Sequence, residues 1–144
     1  MTPRLAAIAV VLHEGKVLLA QRKNPPDAGL WGFAGGHVNL GETAMEAAAR
    51  ELLEETGVVA TPDRYLTNLD IIVRDVDGEI AHHFLLAAVL CHYVSGAPVA
   101  SDDVSDARWF SIQDIATLNT SANVTDVIAL AQAAYSTTPT IGPS

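Results

Sequence analysis

The sequence predicts an α/β fold with a mixed β-sheet flanked by helices, and three observations carry that prediction. Apolar runs of strand length recur along the chain, at residues 5–12, 17–21, 65–73, 80–94 and 107–111. Residues 43–57 and 125–135 instead carry helix-forming residues with apolar positions at helical spacing. No internal repeat or Pro/Gly/Ser-rich linker divides these segments, so we expect one domain over residues 1–144.

Taken in order, residues 5–12 are rich in Ala, Val and Ile, and Glu14-Gly15-Lys16 reads as a turn into 17–21, a hairpin signal. Asn24-Pro25-Pro26-Asp27 is a loop, followed by a short apolar segment at 30–33; glycines and polar residues make 35–42 an irregular loop. Thr43 then opens a helix, because Thr43-x-x-Glu46 is a capping box that satisfies free N–H groups at the helix start. Gly57 closes it, at the position where a left-handed residue is favoured. The Asp75-Val76-Asp77-Gly78 turn separates the next two strands, and the second is long enough to require a bend or bulge. Residues 95–106 read as loop. In the second helix, Val127, Ile128, Leu130, Ala131 and Ala134 supply the apolar face. From about residue 136 two prolines and a glycine predict a loose tail.

Composition narrows the function. Of 144 residues, 49% are hydrophobic and 17% charged, a balance that favours a packed globule over disorder. No apolar run is long enough to span a bilayer. Residues 5–12 behind Arg4 look superficially like a short signal peptide, but no small-residue cleavage site follows, so we expect a strand and a cytoplasmic protein. Cys91 is the only cysteine, which excludes a disulfide framework and a thiolate zinc cage. Its apolar neighbours argue for a buried thiol. The net charge of −9 opposes broad nucleic-acid binding, which needs clustered Lys and Arg.

Chemistry concentrates in Arg50-Glu51-Leu52-Leu53-Glu54-Glu55-Thr56-Gly57. Helical spacing puts Glu51, Glu54 and Glu55 on one face. Met45, Ala49, Leu52 and Leu53 are assigned to the core, and Ala44, Ala47 and Ala48 to the glutamate side, where small residues leave room for a ligand. A solvated acidic face is the ordinary explanation for such a cluster. Two costs weigh against it here. Like charges at i,i+3 and i,i+4 destabilise a helix by roughly 0.2–0.5 kcal/mol per pair. Glu54 and Glu55 also sit in the last turn, where the helix dipole disfavours an anion by roughly 0.3–1 kcal/mol. A divalent cation removes both costs, and an all-carboxylate donor set suits Mg²⁺, with Mn²⁺ as substitute, better than Zn²⁺.

The wider segment 36–58 runs Gly36, five residues, Glu42, seven residues, Arg50-Glu51, Leu52, one residue, Glu54-Glu55, one residue, Gly57-Val58. It resembles the signature of the Nudix hydrolase family at every specified position, and a pattern with this many fixed positions is specific. An Ala107-Arg108-Trp109-Phe110 strand near the end also fits that family's layout. The resemblance implies an α/β/α sandwich and hydrolysis of a diphosphate linkage in a nucleoside diphosphate derivative. Glu54 and Glu55 look like principal metal ligands, Glu51 a further ligand or the general base, and Gly35 the source of a ligating backbone carbonyl. Arg50 looks like the cation that orients a glutamate, and Glu42 like a brace between loop and helix. The family usually carries proline where this chain has Ala34, a departure that touches loop rigidity and substrate fit.

Beyond the signature, Arg22-Lys23 is the only adjacent basic pair and a candidate phosphate contact, or else a solvated strand end. Trp31 is a candidate for stacking on a base, although a large aromatic there also suits the core. His82 and His83 point to opposite faces of their strand; His83 is the candidate substrate contact, against a structural role. Asp102 and Asp103 are either turn formers or an extra acidic pair for the site. The expected partner is a small nucleotide, with ADP-ribose the leading substrate and a second copy of the chain as a candidate partner. The alternatives are a (d)NTP pyrophosphatase and a non-catalytic nucleotide-sensing module; such a module typically lacks some of the glutamates kept here. An isomerase has least in its favour, because nothing in the chain supplies the extra residues it needs.

Overall fold

A computed structural model describes residues 2–137. Its order is β1 (Arg4–His13), β2 (Lys16–Arg22), β3 (Trp31–Gly32), β4 (Gly35–His37), α1 (Ala44–Thr56), β5 (Val59–Arg74), β6 (Ile80–Ser95), β7 (Val104–Ser111), a short 3-10 segment (Ile112–Thr117) and α2 (Val124–Thr137). The strands form one seven-stranded sheet in the order β3-β2-β1-β6-β5, with β4 on β1 and β7 on β2. The β1–β6 pair is parallel and every other strand pair antiparallel, so the sheet is mixed.

Alternation along β1 builds two cores. Ala7, Ala9 and Val11 face α1, where they meet Ala47, Ala48 and Leu52; Val10 and Leu12 face α2, where they meet Val127, Ile128 and Ala131. The result is a three-layer α/β/α sandwich. Cys91 is fully buried in the first core, and burial pushes its thiol up to about 12, in keeping with an inert thiol. Among the described residues no helix is long and apolar enough to cross a membrane.

The structure departs from the sequence expectations at several places. Residues 35–42 are not wholly irregular, because Gly35–His37 pair with β1 as β4. Two glycines give no strand propensity, and the pairing is imposed by the neighbouring strand. Next, β5 begins at Val59, six residues before its predicted start, and contains Pro62. A proline is tolerated there because β5 is an edge strand. Register shifts at Pro62/Arg64 and Tyr65/Thr67 break its periodicity, while those at Val59/Ala60 and Val73/Arg74 place the expected irregularities of β6 near its two ends. Finally, α2 continues through Ser136 and Thr137. The rest of the expected loose tail lies outside the described residues.

Candidate active site

The helix α1 is fixed at both ends by its own sequence. The Thr43 hydroxyl accepts from the Glu46 amide at 3.0 Å, and the Glu46 carboxylate accepts from the Thr43 amide at 2.9 Å. Gly57 closes the helix with φ of 75° and donates its amide to the Leu53 carbonyl. No basic residue lies in the last turn, so no cation there offsets the helix dipole.

The core face of α1 agrees with the sequence assignment at Leu52, against whose cluster Met45 also packs, and differs elsewhere. Ala47, Ala48 and Leu52 are buried, whereas Leu53 is 51% exposed. The alanines are therefore not open space beside the carboxylates; their small size lets the helix approach the sheet closely. Position 55 continues the 48–52 stripe by helical spacing, so Glu55 is carried inward and left 6% exposed. Its carboxylate accepts from the Gly35 amide at 3.0 Å. Burial pushes its pKa up to about 7; Glu51 and Asp103 push the same way, and the Gly35 amide and Arg22 pull against them.

Strand β4 is shaped for this contact. The pairs Val38–Leu5 and Ala34–Ala9 carry ladder hydrogen bonds, so alternation directs the Gly35 and His37 polar groups away from β1. The Gly35 amide meets Glu55, and the His37 carbonyl accepts from Arg50 Nη2 at 3.0 Å. A Cβ on Gly35 would collide with the Ala7 carbonyl oxygen and lie 2.8 Å from Ile8 Cα. One on Gly36 would lie 2.6 Å from Cδ of Glu51, whose carboxyl group packs directly on the glycine.

Arg50 gathers the remaining acids. Its Nε and Nη2 donate to the two oxygens of Glu42 at 2.7 and 2.9 Å. Nη1 donates to Glu51 at 2.9 Å and to Glu54 at 3.1 Å. The forked pair holds Glu42 down at about 2, helped by the Asn39 amide, while the acids raise Arg50 above its ordinary value. Glu42 thus ties the loop to the helix. Among the described residues no three of the acidic, histidine or cysteine side chains already converge as a cation cage. The donors fit a hard divalent cation all the same: Glu51, Glu54 and Glu55 supply carboxylate oxygens, and among the described residues no cationic side chain pairs with the buried Glu55 carboxylate.

The other predicted residues divide between this site and distant ones. Arg22 donates to the Pro26 carbonyl at 2.7 Å yet lies near enough to Glu55 to act on its charge. Asp103 is near enough as well. The Val99 and Ser101 amides cap the Thr56 and Glu55 carbonyls at 2.9 Å, anchoring the 96–103 loop to the end of α1; Lys23 Nζ donates to the Asp102 carbonyl. Sequence spacing carries no signal for this latch. Trp31 packs edge-on against Phe110 at 4.8 Å in the core on the α2 side. His83 lines a separate cavity with Arg74 and Glu79 at the hairpin end, whereas His82 turns to the face that also carries His37.

The NUDIX domain model matches residues 2–130. An ADP-ribose pyrophosphatase of Methanocaldococcus jannaschii is 31% identical over 113 residues, covering 78% of this chain and 64% of that one. A CTP pyrophosphohydrolase of Escherichia coli is 45% identical over 75 residues, covering 51% of this chain and 53% of the relative. This chain therefore spans less than two thirds of the length of either relative. The NUDIX domain of Shewanella oneidensis NrtR, solved as a cocrystal with ADP ribose, superposes with a TM-score of 0.76 at 26% identity, covering 94% of this chain and 90% of that one. The match over residues 2–130, with the glutamate helix and its arginine brace inside it, places the chain in the NUDIX domain family.

Proposed function

We propose that the protein hydrolyses a diphosphate linkage in a nucleoside diphosphate derivative in a Mg²⁺-dependent reaction, with ADP-ribose the leading substrate. The observation that carries this reading is the grouping of Glu51 and Glu54 on one arginine beside the buried Glu55. When bound there, Mg²⁺ supplies neutralisation of the diphosphate charge and acidifies an attacking water. Gly35, Glu51, Glu54 and Glu55 are the residues that would hold it. Arg50 presents Glu51 and Glu54 in fixed orientation, and Glu42 holds Arg50 through its fork. Either Glu51 or Glu54, released from Nη1, accepts the proton of the attacking water as general base. Arg22, near Glu55, supplies positive charge where the diphosphate lies. ADP-ribose is favoured by the relative of that activity and by the cocrystallised neighbour. The second reading, a nucleoside triphosphate pyrophosphatase, is favoured by the similarity to a CTP pyrophosphohydrolase. Chromatography of the products formed from ADP-ribose (AMP and ribose 5-phosphate), dinucleoside polyphosphates and (d)NTPs (a monophosphate and pyrophosphate) with Mg²⁺ separates them. Turnover confined to triphosphates rejects the first reading, and no turnover of any of these substrates rejects both.

A further inference from the structure

We propose that the rings of His37, Phe84 and His82 form the platform on which the nucleobase stacks, making them specificity-determining residues. The proposal rests on the nucleotide reading above. Phe84 and His82 lie two apart on β6 and project from one face, where their rings stack at 6.2 Å and 15°. β1 joins this strand to β4: Arg4 is in register with Phe84, and Ala6 is paired with His37. That pairing brings the His37 ring to 5.5 Å from Phe84, tilted by 37°.

Three features distinguish the row from core packing. None of the three rings is buried or belongs to either core cluster, although they share a sheet face with α2; the helix covers Val10, Leu12, Ala88 and Leu90 further along the strands. Among the described residues no hydrogen bond engages the His37 or His82 ring nitrogens. A cavity of about 480 Å³ lined by Arg4, Leu5, His37, Asn39 and Glu42 opens at the His37 end of the row. That volume is within the range of small-molecule sites.

The row also begins next to the chemistry. The His37 carbonyl is held by Arg50, and the preceding Gly36 carries the Glu51 carboxyl group against it. Gly36, which the Glu51 carboxyl group touches, and His37, which carries the first ring, are neighbours in β4, about 3.8 Å apart at Cα. A diphosphate at Glu51 and Glu55 leaves a base one ribose further on, at the row. Every base presents a π-face, so stacking favours purines over pyrimidines without strict base selection.

The test uses the full chain with Mg²⁺ and two probes that have no diphosphate to cleave, AMP and ribose 5-phosphate. AMP is expected to bind about tenfold more tightly and to move the His37 and His82 ring signals in NMR spectra. His82→Ala and Phe84→Leu should remove most of that advantage, leave ribose 5-phosphate binding unchanged, and raise KM for the nucleotide substrate with kcat retained. Equal binding of the two probes by the native protein overturns the platform, whichever diphosphate is cleaved. So does an equal loss of both probes in the variants, which marks a structural role. If AMP moves the ring signals while no diphosphate is hydrolysed, the platform stands and the proposed activity fails.

Discussion

Arg50 and Glu42 face each other through two parallel hydrogen bonds, Nε to Oε2 at 2.7 Å and Nη2 to Oε1 at 2.9 Å. Helical spacing alone nominates Glu54, one turn on, as the partner of Arg50. Glu54 does receive a bond, but at 3.1 Å and from the nitrogen that also serves Glu51. The fork itself belongs to Glu42, so the orienting cation is fixed from the loop rather than from its own helix.

Arg50→Lys keeps the charge and loses the fork. The expected outcome is a fall of about a hundredfold in kcat with only a modest loss of Mg²⁺ affinity, since small misplacements in an active site cost that much. Glu42→Gln should behave similarly, and the double variant should fall short of the product of the two losses because both act through one contact. Steady-state kinetics beside Mg²⁺ titrations check this. A wild-type rate in Arg50→Lys would show that charge balance suffices.

Glu55 gives a stability prediction with a definite sign. Its folded pKa, about 7, lies above the ordinary carboxylate value of 4.5. Below the lower value both states are protonated and the group costs nothing; above the higher value both are ionised and the burial cost is complete. Metal-free protein should therefore lose stability between about pH 4.5 and pH 7 through this group. Glu55→Gln can still accept from the Gly35 amide and should melt higher than the native chain above pH 7 in chelator, while its turnover falls by orders of magnitude. Glu42, held low by Arg50, works in the opposite direction, so the difference between native and variant melts is the quantity to follow. A variant that melts lower than the native chain at every pH would mean that Glu55 is structural.

Metal removal tests the same cluster from the other side. EDTA should abolish activity, and either Mg²⁺ or Mn²⁺ should restore it, because the proposed donors are hard oxygens. Mg²⁺ should also raise the melting temperature with concentration, as any ligand of the folded state does. The rise should be larger at pH 8 than at pH 5.5, where Glu55 retains its proton. Full turnover in chelator would remove the proposal.

How much of this was legible varied with the kind of signal. The ends of α1 follow from Thr43, Glu46 and Gly57, whose backbone roles are local and chemical. Its inward face followed only in part: Leu52 and Met45 were legible, whereas alanines at 47 and 48 look like vacancies when they are in fact a close-packed seam. Strand β4 was hidden since Gly35 and Gly36 carry no propensity; what makes them a strand is β1 on one side and two glutamates on the other. The latch of residues 96–103 onto α1 uses backbone amides, which any sequence possesses. The signature glutamates were legible as a group, but their division into one buried acid and two held by arginine needed the fold.

The two adjacent glycines of β4 give the last prediction, because a methyl group meets different things at each. At Gly36 the added Cβ would sit 2.6 Å from Cδ and 2.7 Å from Oε1 of Glu51, the mobile end of a side chain. Glu51 can swing aside, so Gly36→Ala should fold with a melting temperature close to the native one. The carboxylate must then leave its place between Gly36 and Arg50, and the rate should fall by roughly tenfold to a hundredfold. At Gly35 the obstacles are the Ala7 carbonyl and Ile8 Cα, both backbone, which cannot yield without parting β4 from β1. Gly35→Ala should therefore cost about 1–3 kcal/mol, read as a melting temperature several degrees lower, with activity lost as a consequence. Parallel melts and rate measurements on the two variants separate the cases. Gly36→Ala at the wild-type rate would show that Glu51 does not need its present position, and the role assigned to it in catalysis would fall.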